Sequence, residues 1–202
     1  MAKRLYISAD YDNEDGDQDV LNILRGWNES LKHSLEFTDM AQVASGSVAN
    51  NSDCRICQLK KEFNTQINLS SHVLFIVGDK TASRKAGTYC ERARKEQREC
   101  FCTPYRENSR GLKNCHISFT FPSTSDGDVG YINNYSYLKH EFKQAARKEK
   151  NIIIFYNSLR RESEWLPDYM AGFENIAEPF WTKDANGRKV GNYNLLKQLL
   201  GL

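Results

Sequence analysis

The sequence predicts an α/β fold in which helices cover both faces of a central parallel sheet. Short runs of strand-forming residues alternate along the chain with segments whose apolar residues recur at helical spacing. Two of the strand runs, 72–77 and 151–156, are apolar on both faces, which is typical of strands buried on both sides. Strands separated by helices pair in parallel, so we expect three layers in a single domain spanning residues 1–202.

Composition limits the partners of such a domain. The 28 basic and 26 acidic residues leave a net charge of only +2, so no global field attracts nucleic acid, and we expect no nucleic-acid partner. No stretch approaches the ~20 apolar residues that span a bilayer, and the N-terminus has no signal-peptide pattern. We therefore predict a cytoplasmic protein without a membrane partner, whose six cysteines are reduced thiols.

The first half of the chain follows the strand and helix alternation closely. Trp27 lies on an apolar stripe at helical spacing and is interpreted as a core anchor. The predicted elements, in order, are a strand at 3–9, an acidic loop at 10–17, a helix at 19–33, a strand at 35–39, an exposed loop at 44–52, a helix capped by Asp53 that ends near Asn68, and a buried strand at 72–77.

The pattern breaks between residues 82 and 133, which we interpret as an insertion. This segment contains a charged helical run at 91–99 and an alternating apolar stretch at 116–121. After it the alternation resumes, and the predicted elements are a helix at 134–150 capped by Asn134, a buried strand at 151–156, a short edge strand at 176–181 and a helix at 194–200.

One carboxylate stands out on the 134–150 helix. Leu138, Phe142 and Ala145 form its apolar stripe, while Tyr137 and Glu141 lie together on the flank of that stripe. We therefore expect Glu141 to be half-sheltered beside an aromatic ring. The helix begins at the carboxyl edge of the sheet, where ligands bind in such folds and where the loops after Ala9 and Gly78 also end.

The candidate site is thus Glu141 with Tyr137, facing Ser8, Asp10 and Tyr11. No nucleophile and base are paired in it, and the sequence has no phosphate-binding Walker loop. A lone, partly desolvated carboxylate can stabilise the positive charge that develops on a sugar during glycosidic cleavage. Cleavage of a nicotinamide dinucleotide suits this site because nicotinamide leaves readily. The alternative is a solvated helix glutamate without a catalytic role.

Several segments together resemble the TIR-like proteins of bacterial Thoeris anti-phage systems. The resemblance rests on residues 3–11, Trp27, Ser52-Asp53 followed by Leu59-Lys-Lys61, and residues 70–78. In that family an aromatic residue precedes the catalytic glutamate by four positions, and the isoleucines of the next strand follow it by eleven. Tyr137, Glu141 and Ile152 keep both spacings.

The resemblance implies a flavodoxin-like TIR fold with a central parallel sheet and an insertion at 82–133 before the catalytic helix. It implies that Glu141 is catalytic and that NAD is the substrate, with no bound cofactor. We expect Ser8, Asp10, Tyr11 and Tyr137 to bind this substrate. The resemblance further implies a cyclic ADP-ribose-type signal that activates a separate effector, and a phage-derived trigger. The oligomeric state stays open, with a homo-oligomer among the alternatives. Two features depart from the family: Tyr137 stands where tryptophan is usual, and the insertion has no counterpart.

The sequence also allows other interpretations of the catalytic residue, the function and the cysteines. Glu91 is a second candidate for the catalytic glutamate, although no apolar strand follows it at the required distance. The chain could also be a TIR-like interaction module without activity, or an enzyme similar to nucleoside deoxyribosyltransferases. A zinc site is a further possibility, and its candidate ligands are Cys54, Cys57, Cys100, Cys102, Cys115 and His116.

Overall fold

A five-stranded parallel sheet forms the centre of the protein in its computed structural model. The structure describes residues 3–12, 14–29, 35–39, 55–84, 106–107, 113–114 and 136–202. The strands of this sheet are β1 (Lys3–Ser8), β2 (Leu35–Asp39), β3 (His72–Val77), β6 (Asn151–Tyr156) and β7 (Ala177–Pro179). The helices are α1 (Gln18–Glu29), α2 (Arg55–Leu69), α3 (Tyr137–Arg147) and α4 (Tyr193–Leu200). The remaining described elements are two small antiparallel pairs, β4 (Arg106–Glu107) with β5 (Lys113–Asn114) and β8 (Trp181–Lys183) with β9 (Lys189–Gly191), and two 3-10 turns, Ser163–Trp165 and Asp168–Met170.

The strand order of the sheet is β2-β1-β3-β6-β7, and all its pairs are parallel. The central strand β3 is buried along its whole length, in agreement with its uninterrupted apolar sequence. From β1 the chain passes to β2 on one side and then returns to β3 on the other side. The order therefore reverses between β1 and β3, and this is the point at which open α/β sheets bind ligands.

Alternate residues of the strands face two separate cores. One core lies between the sheet and helices α1 and α4, and includes Leu5, Ile7, Leu24 and Leu196. The other lies between the sheet and helices α2 and α3, and includes Tyr6, Phe63, Phe75 and Phe142. The predicted three-layer α/β arrangement is confirmed.

Three predicted strands, at 35–39, 72–77 and 151–156, are confirmed with the same bounds. The prediction for the start of α3 is wrong. Ser136 is its N-cap, because the Ser136 hydroxyl accepts a hydrogen bond from Lys139 N at 3.3 Å. The edge strand is also shorter than predicted: it spans Ala177–Pro179, and Trp181 begins the separate β8–β9 hairpin. Nearly all of the predicted insertion, and Asn134 with it, lies outside the described residues.

Trp27 is a packing residue, as predicted. Its ring lies 5.7 Å from that of Phe180 and 4.9 Å from that of Tyr193, measured between ring centres. The β8–β9 hairpin comes so close that a Cβ atom at Gly191 would lie 2.8 Å from the Trp27 ring. In the part of the chain that the structure describes, no helix has the length and apolar character needed to cross a membrane.

Candidate active site

Glu141 lies in the middle of α3 and is fully buried, with an exposed fraction of 0%. The prediction that it is half-sheltered is therefore wrong, although the apolar stripe beside it is buried as expected. A helical wheel identifies the face toward the sheet but not what packs on the flanks. Helix α2 closes one flank of α3, where His140 Nε2 lies 2.9 Å from Asn64 Oδ1 and Gln144 Nε2 donates to Asn68 Oδ1 at 3.0 Å.

The carboxyl group of Glu141 has no hydrogen-bond partner among the described residues. Burial raises its pKa from 4.5 to about 8, because an ionised carboxylate loses its hydration in the core. The hydroxyl groups of Ser8 and Tyr6, on the sheet side, are near enough to pull this pKa downward, but their effect is smaller than that of burial. Glu141 is consequently a neutral acid at pH 7 in this conformation.

Ser8 is the predicted site residue that the fold brings to Glu141. It ends β1, its side chain faces the same core as Tyr6, and its exposed fraction is 0%. Its hydroxyl is near enough to affect the pKa of Glu141 but is not in hydrogen-bonding geometry with any described group. Buried polar groups are nearly always hydrogen-bonded in folded proteins, so two such groups in one place call for an explanation.

Tyr169 is a site residue that sequence reasoning missed. It lies on a single 3-10 turn, Asp168–Met170, between β6 and β7. Its hydroxyl is buried without a hydrogen bond, and burial raises its pKa. Ser136 partly opposes this rise in pKa, whereas a negative charge on Glu141 would add to it. The ring of Tyr169 packs against Phe142, the residue next to Glu141, at 5.9 Å between ring centres. No sequence signal marks a tyrosine in an irregular connection as a neighbour of a glutamate in the preceding helix.

Tyr137 is half-buried one turn before Glu141. Its ring packs edge-on against Phe63 of α2, with the ring centres 5.4 Å apart and the planes at 84°. The aromatic side chain of the predicted site is therefore held at the junction of α2 and α3. This contact fixes the amino-terminal turn of α3 relative to α2.

The other two predicted residues lie at the rim of the site, in the loop after β1. Asp10 is buried and forms an ion pair with Arg84, which also pairs with Asp15 and lies 3.4 Å from Asp12. The Tyr11 hydroxyl donates to the backbone carbonyl of Ile7 at 3.3 Å. Arg84 follows β3, so it ties the loops after β1 and β3 together. These loops meet as the sequence predicted, but Arg84 itself was not predicted as a site residue.

Asp17 links the loops at the carboxyl edge of the sheet by hydrogen bonds. Its carboxylate accepts hydrogen bonds from Asn157 Nδ2 at 3.0 Å and from Asp10 N at 3.3 Å. Burial raises the pKa of Asp17 to about 6, against the opposing effect of the Asn157 hydrogen bond. A Cβ atom at Gly78 would lie 2.7 Å from Asp17 Oδ1, so this close approach requires glycine. The ends of β1, β3 and β6 are thereby fixed relative to one another.

The described residues contain no cluster of three or more His, Cys, Asp or Glu side chains suited to a metal ion. The zinc prediction concerns side chains outside the described part of the chain, and the alternative catalytic residue Glu91 also lies outside it. Neither a protein-family model nor a curated protein matches this sequence.

Proposed function

We propose that this protein is a TIR-like, NAD-cleaving enzyme of bacterial anti-phage defence, with Glu141 as its catalytic carboxylate. The observation that carries the proposal is the burial of an unpartnered carboxyl group beside Ser8, over the sheet near the carboxyl end of β1. Strained or unsatisfied buried groups of this kind are characteristic of functional sites. The strand order also agrees with the proposal, since it is the order of flavodoxin-like folds.

The proposed chemistry breaks the bond between the ribose C1′ and the nicotinamide nitrogen. The electron pair of this bond goes to the nitrogen, which neutralises the positive pyridinium ring, and C1′ becomes part of an oxocarbenium-like centre. The Glu141 carboxylate stabilises this charge in surroundings of low dielectric. Water then adds its oxygen to C1′ and releases a proton to solvent, or an adenine nitrogen adds instead and gives a cyclic product.

The protonation state of Glu141 agrees with such a cycle. Before substrate binds, the carboxyl group is neutral because burial raises its pKa to about 8. A positively charged nicotinamide ring placed next to it favours the ionised form and lowers this pKa. Binding of NAD would therefore release the proton of Glu141 and create the negative charge that the reaction uses.

The remaining parts of the proposal follow from the resemblance. The product is a cyclic ADP-ribose-type signal that activates a separate effector, and activity begins in response to a phage-derived trigger. NAD is the substrate, and no cofactor takes part.

The test is incubation of the purified protein with NAD, with and without lysate from phage-infected cells, followed by mass spectrometry of nicotinamide and the ribosyl product. Glu141→Gln keeps the size and neutrality of the resting side chain but cannot ionise, so we expect it to reduce nicotinamide release by about 10² to 10³-fold. Glu164→Gln, at an exposed position, is the matched control and should retain the activity. Undiminished nicotinamide release by Glu141→Gln would refute the role of Glu141.

A second candidate function is a TIR-like interaction module without turnover. It is favoured by the apolar side chains on the opposite, amino edge of the sheet, where Leu69, Ile176, Leu199 and Leu202 are exposed. A groove of about 660 Å³ on this edge is lined in part by Ile176 and Leu199 and includes none of the residues around Glu141. The module predicts no nicotinamide release with any trigger, together with normal phage defence by Glu141→Gln in cells.

A further inference from the structure

We propose that Asn157 is a positioning residue: its side-chain amide couples the β8–β9 hairpin to the loop after β1, which carries Asp10 and Tyr11. The inference deepens the proposed function and rests on it only for the role of this loop in binding NAD. The coupling itself rests on a continuous series of hydrogen bonds and can be measured without NAD.

The backbone of Asn157 is fixed by the central sheet. Asn157 directly follows β6, and its amide N–H donates to the carbonyl of Val77, the last residue of β3, at 2.9 Å. This hydrogen bond continues the pairing of β3 with β6 by one residue beyond the strand. The side chain of Asn157 therefore starts from a rigid point at the carboxyl edge of the sheet.

Three hydrogen bonds determine the orientation of the Asn157 amide. Its oxygen accepts from Trp181 Nε1 at 2.6 Å, and its nitrogen donates to Asp17 Oδ1 at 3.0 Å and to Asp19 Oδ1 at 2.9 Å. An indole N–H can only donate and an ionised carboxylate can only accept, so a flipped amide would lose all three bonds. Both protons of the NH2 group are used in the observed orientation.

The loop after β1 is attached to this amide through Asp17. Asp17 Oδ2 accepts a hydrogen bond from Asp10 N at 3.3 Å, and Asp17 N donates to Asp10 O at 2.8 Å. The Asp17 carboxylate is buried, and Gly78 lies so close to it that a Cβ atom there would collide with Oδ1. One carboxylate oxygen thus faces Asn157 while the other holds the backbone of Asp10. A change at Asn157 is passed to Asp10 through a single carboxylate.

The hairpin is attached on the other side of the amide. Trp181 is the first residue of β8, is buried, and packs edge-on against Phe180 with the ring centres 5.0 Å apart. This packing holds the indole N–H in place for the Asn157 oxygen. From β9, the Lys189 ammonium lies 3.9 Å from the Trp181 ring centre and 3.4 Å from Asp19 Oδ2. Because Lys189 and Asp19 are about half exposed, their ion pair contributes less than the hydrogen bonds of Asn157.

The experiment exchanges donor and acceptor between positions 157 and 17. Asn157→Asp replaces the NH2 donor by a carboxylate that faces Asp17. Asp17→Asn must place its NH2 group against Asn157 or against the amide of Asp10, and both are donors. Each single variant loses a buried hydrogen bond, so we expect protection of the Asp10 amide against hydrogen exchange to fall about tenfold. The double variant Asp17→Asn/Asn157→Asp again sets a donor against an acceptor, and its protection should return to within about threefold of the wild type.

Exchange is followed by NMR spectroscopy at pH 7, where Asp17 is mostly ionised because burial raises its pKa to about 6. The buried Phe75 amide, in the middle of the central strand β3, reports the stability of the whole fold. A residue that only stabilises the fold would lower protection at Phe75 and at Asp10 together. A positioning residue lowers it at Asp10 alone.

Asp19→Ala is the matched control. It removes the other carboxylate that accepts from Asn157, but this carboxylate is exposed, and in the described part of the chain no hydrogen bond links it to Asp10. Protection of the Asp10 amide should therefore stay within about twofold of the wild type. Trp181→Phe tests the hairpin end of the coupling. It removes the indole donor and keeps an aromatic ring, so protection at Asp10 should fall about threefold.

Unchanged protection of the Asp10 amide in Asn157→Asp or in Trp181→Phe would overturn the coupling. An equal fall at Phe75, or a double variant no better protected than the single ones, would do the same. If Asn157→Asp does not fold, as judged by circular dichroism, Asp17→Asn decides the question, because it breaks the same series of hydrogen bonds from the other side.

These results are independent of the proposed function. Loss of Asp10 protection in Asn157→Asp, with no NAD cleavage by the wild type under any trigger, would support the coupling and refute the enzyme. NAD cleavage with unchanged Asp10 protection would do the reverse. Where both hold, Asn157→Asp should raise the KM for NAD about tenfold with a smaller change in kcat, because the loop binds substrate and does not react.

Discussion

Replacing Glu141 with glutamine should remove a large part of the pH dependence of folding stability. Burial raises the pKa of Glu141 from 4.5 to about 8 in the folded protein. Between these two values the folded protein holds a proton that the unfolded chain has lost. Raising the pH therefore favours the unfolded state, and the free energy of unfolding falls by ~1.4 kcal/mol per pH unit.

The total effect is large compared with the stability of an ordinary domain. From pH 5 to pH 7.5 the contribution of Glu141 to the free energy of unfolding should fall by about 3 kcal/mol, whereas a domain is typically stable by about 5 to 15 kcal/mol. Glutamine cannot ionise, so the Glu141→Gln protein should lack this decrease. Relative to the wild type, it should become progressively more stable as the pH rises.

The assay is urea unfolding followed by fluorescence of the three tryptophans, at pH 5, 6, 7 and 7.5. The quantity that matters is the difference in unfolding free energy between the two proteins. Taking this difference cancels the titration of Asp17, whose pKa of about 6 lies in the same range. Glu164→Gln, at an exposed position, should give a curve parallel to that of the wild type.

A constant difference between the wild type and Glu141→Gln across this pH range would refute the reasoning. It would mean that the Glu141 carboxyl group is hydrated or hydrogen-bonded in solution, and that burial does not keep it in the neutral form.

Two further changes test the surroundings of the site. Arg84→Gln leaves the buried carboxylate of Asp10 without its cation, so urea unfolding should show a loss of stability of about 1 to 3 kcal/mol. Gly191→Ala brings a Cβ atom to 2.8 Å from the Trp27 ring and 2.9 Å from Ile23. It should therefore lower the free energy of unfolding by about 1 to 3 kcal/mol and change the tryptophan emission. Gly26→Ala is the control and should do neither, because the added atom meets open space.

The sequence by itself determined the architecture of the described part. Uninterrupted apolar runs at 72–77 and 151–156 identified the two central strands because only a sheet covered on both faces buries both sides of a strand. Helical periodicity identified the stripe of Leu138, Phe142 and Ala145 because it depends only on the geometry of one element. The same periodicity drew attention to Glu141.

The burial of Glu141, and with it the rise in its pKa, was decided only by the tertiary structure. Its complete burial depends on α2 and on the β6–β7 connection, which pack on the flanks of α3 and which no local pattern relates to position 141. The packing of Tyr169 against Phe142, next to Glu141, and the ion pair of Arg84 with Asp10 are likewise products of chain topology. Local residue patterns specify the face that each element buries, whereas the dielectric surroundings of a charged group depend on every element that packs around it.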